Sequence, residues 1–444
     1  MKKSRILGIA VGATLAMGLS ASAFATDGYQ LIGIGQYAMG MAGAVVAAPD
    51  DPLSAAMSNP AGLALLTPQA AFSAEIFNPT RKTNFGFGET GSHSNVYGVP
   101  AIGWVAPAFG DGIVFGGGVY GTSGLGVNYI QSGVNGPAYN MRGNPPSPGF
   151  APGTINAYSS ITFMQMAPSL AMKVNSHLAV GASLNISAEQ GSFVQSFTPN
   201  NNAFFAQQSP AYYVGGGLNL ASPSWAYGVG ATLGVLYKVN DMVTLGATYK
   251  TPIIFTPMTW QESGEVGPGN VQGGSGQYSG HLNYPQQIAL GLAIRPIPQW
   301  LISVEGQWIN WHATMNNFTI YGPWAGQSSV ALPMHWTNQW VANIGTQYDL
   351  TNWLQVRAGY TYGSNPISNA DTASNLLFPA VVQNAITFGA TQKLGMGWKL
   401  TEAYMHAFAN TITGPAGSSP FYGNQAPSAT LAENSYGLQV GYDF

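Results

Sequence analysis

The sequence predicts an all-β protein: a transmembrane antiparallel β-barrel of about fourteen strands whose lumen is plugged by an N-terminal segment. Three observations predict this class. Charged residues make up 7% of the 444 residues, against about a quarter in soluble domains. No run beyond residue 25 offers about 18 consecutive apolar residues, which argues against transmembrane helices. Apolar residues instead alternate with polar ones, as in strands with one face on lipid and the other on a lumen.

Residues 1–25 have the three parts of a secretory signal peptide. Lys2, Lys3 and Arg5 form a positively charged start, an apolar stretch follows, and Ala23-Phe24-Ala25 offers a cleavage site. We expect this segment to be removed rather than kept as a membrane anchor, and the mature chain to reach the outer membrane of a Gram-negative bacterium. The chain has no cysteine, which fits a protein stabilised by barrel closure rather than by disulfides.

Residues 26–70 are predicted to form the plug. The segment is rich in Gly, Ala and Met, and its only charged residues are Asp27, Asp50 and Asp51. It is too apolar for a solvated linker and shows no sustained alternation, so it has to pack inside an enclosure. Asp51 followed by Pro52 predicts the N-cap and first residue of a short helix that ends before Asn59.

We assign residues 71–444 to the barrel. The last strand, Ser435–Phe444, is the clearest, because Tyr436, Leu438 and Val440 fall on one face and polar residues or glycines fall between them. Short and long connections alternate, which predicts an even number of strands with both ends of the barrel on the short-turn, periplasmic side. The predicted short turns lie at 110–112, 175–176, 240–241, 296–298, 349–352 and 395–397.

Two further features of the barrel segment are unusual. Gly116, Gly117 and Gly118 interrupt the third predicted strand, and consecutive glycines favour a bulge or a kink; the alternative is close packing against the plug. Two long loops are rich in apolar side chains, which either pack over the mouth of the barrel or form a groove for hydrophobic ligands. The groove candidates are Phe193, Phe197, Phe204, Phe205, Phe255 and Trp260.

An ordered set of short motifs runs through the whole mature chain. The motifs include 28–31, 39–44, 58–62, 227–230, 245–252 and 357–360. Together they make the chain resemble the outer-membrane long-chain fatty acid transporter (FadL) family. The tripeptide Asn59-Pro60-Ala61 is typical of the N-terminal hatch of that family.

The resemblance implies a fourteen-stranded barrel with a hatch in its lumen. It also implies a route in which loops capture a hydrophobic ligand and pass it to a luminal pocket. The ligand then leaves sideways through an opening made by a kink in the third strand, for which Gly116, Gly117 and Gly118 are the candidates. The expected function is a diffusion channel for long-chain fatty acids or similar hydrophobic compounds, with the ligand and outer-membrane lipid as partners.

A site that binds the carboxylate of a fatty acid usually contains a cationic side chain that is partly shielded from water. Lys250 and Arg357 are the candidates, because they alone among the cations are expected to face the lumen at useful depth. For Arg357 we favour a structural ion pair with Glu305, whose strand lies two away, over a role in ligand binding. The small number of cations leaves open a channel for neutral hydrocarbons such as alkanes or monoaromatics. A non-specific porin is a second alternative, disfavoured by the apolar plug.

Other chemistries find little support in the sequence. The six histidines are scattered without ligand spacing, so we expect no metal. No G-x-S-x-G elbow or nucleotide loop is present, so neither an enzyme nor a cofactor is expected. No basic stripe suggests nucleic acid as a partner. We expect a monomer.

Overall fold

The structure is a computed structural model that describes residues 27–130, 132–134, 153–199, 216–262, 276–324, 327–418 and 425–444. Its described helical segments are short: α1 (Gln36–Gly40), α2 (Pro52–Met57), α3 (Trp311–Met315) and the 3₁₀ helices Pro60–Leu65, Asn369–Asp371 and Ala373–Asn375. The strands are β1 (Gln69–Asn84), β2 (Glu89–Gly91), β3 (Tyr97–Val105), β4 (Ile113–Asn128), β5 (Ser132–Val134), β6 (Gly153–Lys173), β7 (Leu178–Pro199), β8 (Gly216–Lys238), β9 (Val243–Lys250), β10 (Ile254–Phe255), β11 (Met258–Glu262), β12 (Gly276–Gly280), β13 (Gln287–Ile297), β14 (Trp300–Ile309), β15 (Asn317–Trp324), β16 (Gln327–Pro333), β17 (Gln339–Asp349), β18 (Leu354–Gly363), β19 (Asn384–Gly395), β20 (Trp398–Thr413) and β21 (Ser428–Asp443).

Fourteen of these strands form a closed antiparallel barrel. The order around the wall is β1, β3, β4, β6, β7, β8, β9, β13, β14, β17, β18, β19, β20 and β21. The last strand pairs back onto the first, from Gln69 opposite Asp443 to Asn84 opposite Ser428. The predicted all-β barrel of about fourteen strands is confirmed. Closure satisfies the backbone groups that an open edge would leave bare in lipid.

The alternation that predicted the strands matches the two faces of the wall. On β21, the side chains of Tyr436, Leu438 and Val440 are exposed, whereas Ser435 and Gln439 are buried. Adjacent strands meet at one end of the barrel in six short connections at or beside the predicted turns, and Gln69 and Asp443 lie at the same end. Long loops join the strands at the other end, as an even-stranded bacterial barrel requires.

The segment before β1 lies inside the barrel. Most of its residues from 27 to 65 are buried, including Leu53 and Leu63. As expected, Asp51 caps α2 by accepting a hydrogen bond from the Ser54 N–H at 2.7 Å, and Pro52 is the first helical residue. We call residues 27–66 the hatch.

The inner wall is shaped to hold the hatch backbone. A Cβ atom built on Gly345 of β17 would lie 2.5 Å from the Met41 carbonyl oxygen. No side chain larger than hydrogen fits there without moving the hatch. Polar side chains of the wall also reach the hatch: Gln439 Oε1 accepts a hydrogen bond from the Gln36 N–H at 2.9 Å. The glycine-rich composition is therefore in part a requirement for close approach between wall and hatch.

Above the barrel, the loops build structure of their own. Strands β11, β12, β15 and β16 form a separate four-stranded sheet, and β10 pairs with β8. The segment between β18 and β19 carries two of the 3₁₀ helices and covers part of the barrel mouth. Among the described residues, no helix is long and apolar enough to cross a membrane.

We predict that Gly345→Val dislodges the hatch while the barrel still forms, because the new side chain collides with the backbone at Met41. The ion conductance of single channels in a planar bilayer should rise several-fold, while the heat-modifiable band of the folded barrel stays. Gly306→Val is the matched control, since a Cβ atom there meets nothing within 4 Å and it lies on the outer face of β14. Equal conductance of both variants and the parent would contradict this account of the packing.

Candidate functional site

The hatch tripeptide joins three parts of the structure. Asn59 is fully buried. Its Nδ2 donates to the carbonyl oxygens of Val46 at 2.8 Å and Val235 at 3.0 Å, and its Oδ1 accepts from the Ala61 N–H at 3.1 Å. Pro60 begins the 3₁₀ helix. Asn59 thus ties two hatch segments to β8 of the wall, which suits a positioning role rather than a ligand contact.

The barrel wall has a gap between β3 and β4. These strands pair over only five residue pairs, from Val105 opposite Gly116 to Ala101 opposite Tyr120. Beyond Tyr120, β4 continues to Asn128 and stays paired with β6, with a register shift between Gly121 and Ser123. On its β3 side, this part of β4 has no strand partner within the described residues. We call this interruption of the strand pairing, beside residues 121–128, the wall gap.

Substitute partners occupy the backbone groups along the wall gap. The hatch supplies two of them: the Leu31 N–H donates to the Thr122 carbonyl at 3.2 Å, and the Gly124 N–H donates to the Tyr29 carbonyl at 3.2 Å. Arg81 of β1 reaches across the end of β3, donating to the Gly126 carbonyl and, at 2.8 Å, to the Tyr97 hydroxyl. At the far end, the His93 N–H donates to the Asn128 carbonyl at 2.8 Å. The hatch, one buried arginine and the segment before β3 therefore complete a ladder that β3 leaves unfinished.

The three glycines predicted to form the kink lie just before the wall gap. Gly116, Gly117 and Gly118 are paired with β3 on one side and with β6 on the other. Gly117 has a φ of 149°, and a Cβ atom there would lie 2.4 Å from the Ala167 carbonyl oxygen, so only glycine fits. The structure puts the loss of pairing further along, after Tyr120. A role of these glycines in lateral exit stays a prediction.

An apolar cavity lies between the loops at the mouth. Its volume is about 220 Å³. The segment between β18 and β19 forms one side with Ala373, Leu376 and Phe378, and the end of β16 forms another with Leu332. No charged residue lines it among the described residues. We call it the outer cavity.

Three of the loop aromatics predicted as groove candidates are described, Phe193, Phe255 and Trp260, and none of them lines the outer cavity. Phe193 is 5% exposed and contacts Phe378 and Trp260 with ring centroids 5.9 and 5.7 Å apart. Phe255 packs on Phe163. They support the mouth as core residues. Phe204 and Phe205 lie outside the described residues, as does the side chain of Phe197. The sequence analysis did not predict this cavity, although the apolar run 376–382, which supplies part of its lining, could have indicated it.

A buried aromatic cluster connects the mouth to the hatch. Tyr29 stacks on Phe163 with centroids 5.4 Å apart and planes 4° apart, and it contacts Trp311 at 4.3 Å. Trp336 packs against Trp311 and donates from Nε1 to Asn375 Oδ1 at 2.7 Å. Since Tyr29 also bonds to β4 at the wall gap, the cluster lies between the outer cavity and that gap.

Lys250 faces a polar space rather than an apolar pocket. It lines a cavity of about 20 Å³ together with Asp27, Glu305 and Asn343, which is room for about one water. Burial raises the pKa of Asp27 to about 7, and the nearby Lys250 opposes that rise. Two carboxyl groups therefore already accompany this cation. Among the described residues, no group of three His, Asp or Glu side chains could hold a metal ion.

Arg357 is engaged by its own neighbours. It donates to Gln347 at 2.7 Å, Thr391 at 2.7 Å and Gln355 at 3.2 Å, and its guanidinium lies 4.7 Å from the centroid of the Tyr37 ring.

The expected ion pair between Arg357 and Glu305 is wrong. Glu305 instead accepts from the N–H groups of Val45 and Val46 at 3.1 and 3.0 Å. The strand register leads from Glu305 through Asn343 to Thr361, four residues along β18 from Arg357, or roughly 13 Å.

Comparisons with known proteins agree with this geometry. A sequence model of the family described as outer membrane protein transport protein (OMPP1/FadL/TodX) matches residues 12–444. No curated protein matches the sequence.

Solved structures share the fold. A Pseudomonas aeruginosa FadL homologue has 19% identity and a TM-score of 0.69, covering 94% of this chain and 100% of that one. The P. putida toluene transporter TodX has 20% identity and a TM-score of 0.69, with coverage of 93% and 99%. The Ralstonia pickettii toluene transporter TbuX has 18% identity and a TM-score of 0.67, with the same coverage. At these identities, the likeness speaks for the fold alone.

We predict that the outer cavity binds a small apolar molecule such as benzene, since apolar cavities of about 150 Å³ already do so. Ala373→Trp should fill the cavity and lower benzene uptake by the purified protein at least fivefold, measured by equilibrium partition against protein-free detergent. Ala370→Trp is the control, because Ala370 is exposed and lies outside the lining. Unchanged partition into the Ala373 variant would contradict binding in this cavity.

Proposed function

Since the chain belongs to the outer membrane protein transport protein (OMPP1/FadL/TodX) family, we propose that it is a passive uptake channel for small neutral hydrophobic compounds. The observation that carries this proposal is the outer cavity: it is apolar, it opens among the loops, and none of its described lining residues is charged. Each methylene group that moves from water into such a site gains about 0.8 kcal/mol. Capture from dilute solution therefore needs no polar recognition.

The surroundings of Lys250 and Arg357, the two cations predicted to face the lumen, favour neutral compounds over fatty acids. Three of the five N–H groups of Arg357 already donate to neutral side chains, and Lys250 shares a one-water space with Asp27 and Glu305. A carboxylate brought to Lys250 would face two acidic groups, and one brought to Arg357 would share its cavity with Asp50 and Asp51. The relatives named as toluene transporters are in line with this choice. Long-chain fatty acids are the second candidate, because Lys250 still faces an internal space.

The proposed route runs from the outer cavity through the aromatic cluster to the wall gap. Tyr29 belongs to that cluster and also bonds to Gly124 at the gap. Movement of the first residues of the hatch would therefore separate the rings of the aromatic cluster and, at the same time, break the bond between Tyr29 and β4. The ligand then leaves sideways into the outer-membrane bilayer and stays out of water throughout. No energy source is needed, because the ligand moves down its own gradient. In this proposal residues 1–25 are the signal peptide and the barrel acts as a monomer.

The test of this function is uptake by cells that contain this protein as their only hydrophobic-compound channel. Radiolabelled toluene and hexadecane should enter several times faster than in matched cells without the protein. The protein should increase the uptake rate of oleate by a smaller factor. Faster entry of oleate alone would favour the second candidate. If no compound enters faster than in cells without the protein, the proposed function is wrong.

A reversible cross-link tests the lateral exit. A Cβ atom on Gly121 would lie 3.1 Å from Val99 Cγ1, so Val99→Cys with Gly121→Cys places two thiols within disulfide reach at the start of the wall gap. The chain has no native cysteine to interfere. Oxidation should lower toluene uptake at least fivefold by joining β3 to β4, and reduction should restore it.

The two single-cysteine variants control for the substitutions themselves. Each should transport toluene at the same rate with and without oxidant. Full uptake by the oxidised double variant, with the disulfide verified by mass spectrometry, would rule out exit through the wall gap.

A further inference from the structure

Glu189 is a buried carboxylate without a partner. It lies on the inner face of β7 and is 0% exposed. Neither of its carboxylate oxygens accepts a hydrogen bond, and no ion pair among the described residues includes it. Its cross-strand neighbours are Phe163 on β6 and Ala226 on β8, which offer no donor side chain.

Such a group is costly to keep. Burying a polar group without a hydrogen bond destabilises a protein, and burying an unpaired charge destabilises it more. An ionisable residue inside a membrane protein marks a functional site by default. An apolar residue would stabilise this position better, so the unused acceptors of Glu189 point to a donor that arrives from outside the chain.

A second unused oxygen lies in the same place. The Tyr29 hydroxyl is buried and has no hydrogen-bond partner among the described residues. The ring of Tyr29 stacks on Phe163, the residue directly across from Glu189 in the strand register. Burial raises the pKa of Tyr29, and its neighbours Tyr284 and Glu189 raise it further.

We propose that Glu189 and the Tyr29 hydroxyl form the polar end of an internal binding site for hydrophobic compounds that carry an O–H or N–H donor, such as phenols and aromatic amines. The rings of Phe163, Tyr284 and Trp311 supply the apolar walls, since all three contact Tyr29. The inference rests on the proposed uptake function and names the class of compound that this site selects.

The chemistry of the three oxygens decides between ligand classes. A plain hydrocarbon would leave every acceptor unpaired. A carboxylate ligand would bring a charge into this buried site, where none of the residues named above is a cation that could pair with it. A phenol donates its proton to Glu189, accepts from the Tyr29 hydroxyl, and stacks its ring among the aromatic side chains. Sites built to bond a ligand hydroxyl reject the analogue that lacks it far more strongly than apolar pockets reject a missing methylene.

The site is closed in the present conformation, because Tyr29 and Trp311 are both fully buried. Tyr29 lies on the ligand route proposed above, and its carbonyl oxygen also accepts a hydrogen bond from the Gly124 N–H at the wall gap. A ligand that separates Tyr29 from Phe163 would thus pull on the bond that completes the wall. Binding at Glu189 is in this way placed directly before lateral exit.

The test compares p-cresol with 4-methylanisole, which has the same ring and oxygen but no donor. Binding of each radiolabelled compound to the purified full-length protein is measured by equilibrium dialysis and corrected for detergent alone. The parent protein should bind p-cresol at least tenfold tighter than 4-methylanisole. Glu189→Leu should abolish this preference, and Tyr29→Phe should reduce it.

Glu433→Leu is the matched control, because Glu433 is equally buried and equally without hydrogen bonds on β21; its preference should equal that of the parent. The heat-modifiable band verifies folding of every variant. Equal binding of both compounds by the parent, or a preference that survives in Glu189→Leu, overturns this site. Toluene uptake by cells, measured in parallel, separates the two proposals: normal toluene entry without a cresol preference leaves the uptake function standing.

Discussion

The need to satisfy every backbone hydrogen bond of a sheet in contact with lipid governs this structure. An unpaired N–H or C=O group in hydrocarbon costs several kcal/mol, so only closed barrels and helices span a bilayer. The β1–β21 ladder meets that requirement along sixteen residue pairs, whereas β3 and β4 meet it along only five. Any function that uses the shortened ladder has to supply other partners for the bare edge of β4.

Those partners come from parts of the chain that are distant in sequence, and this couples the plug to the wall. Leu31 and Tyr29 belong to the start of the hatch, and their bonds to Thr122 and Gly124 occupy the edge of β4. Arg81 adds a bond to Gly126 from the strand beyond β3. Movement of the hatch start would leave buried backbone groups unpaired until β4 shifts as well.

The sequence predicted local features well and long-range ones poorly. Alternation gives the face of each residue, because the period of a strand is two, and it assigned Tyr436 and Gln439 correctly. Turn chemistry and the Asp51-Pro52 cap are equally local. The position of the wall gap depends on hydrogen bonds from Arg81 and Leu31, which the sequence pattern within β4 does not predict. The glycines at 116–118 lie in the paired part of β4, before the gap. The Arg357–Glu305 pair failed for the same reason, since strand stagger sets the depth of each side chain.

The distribution of polarity inside the barrel has a consequence for selectivity. The outer cavity holds no charge among its described lining residues, so it accepts any apolar compound of suitable size. Deeper in, the carboxyl group of Glu189 and the Tyr29 hydroxyl have no hydrogen-bond partner among the described residues, and Lys250 is flanked by Asp27 and Glu305. The interior therefore offers unused hydrogen-bonding groups at the level where the hatch meets β4. Capture by size and apolarity and selection by hydrogen bonding are separate steps, because the groups that perform them lie in different layers of the barrel.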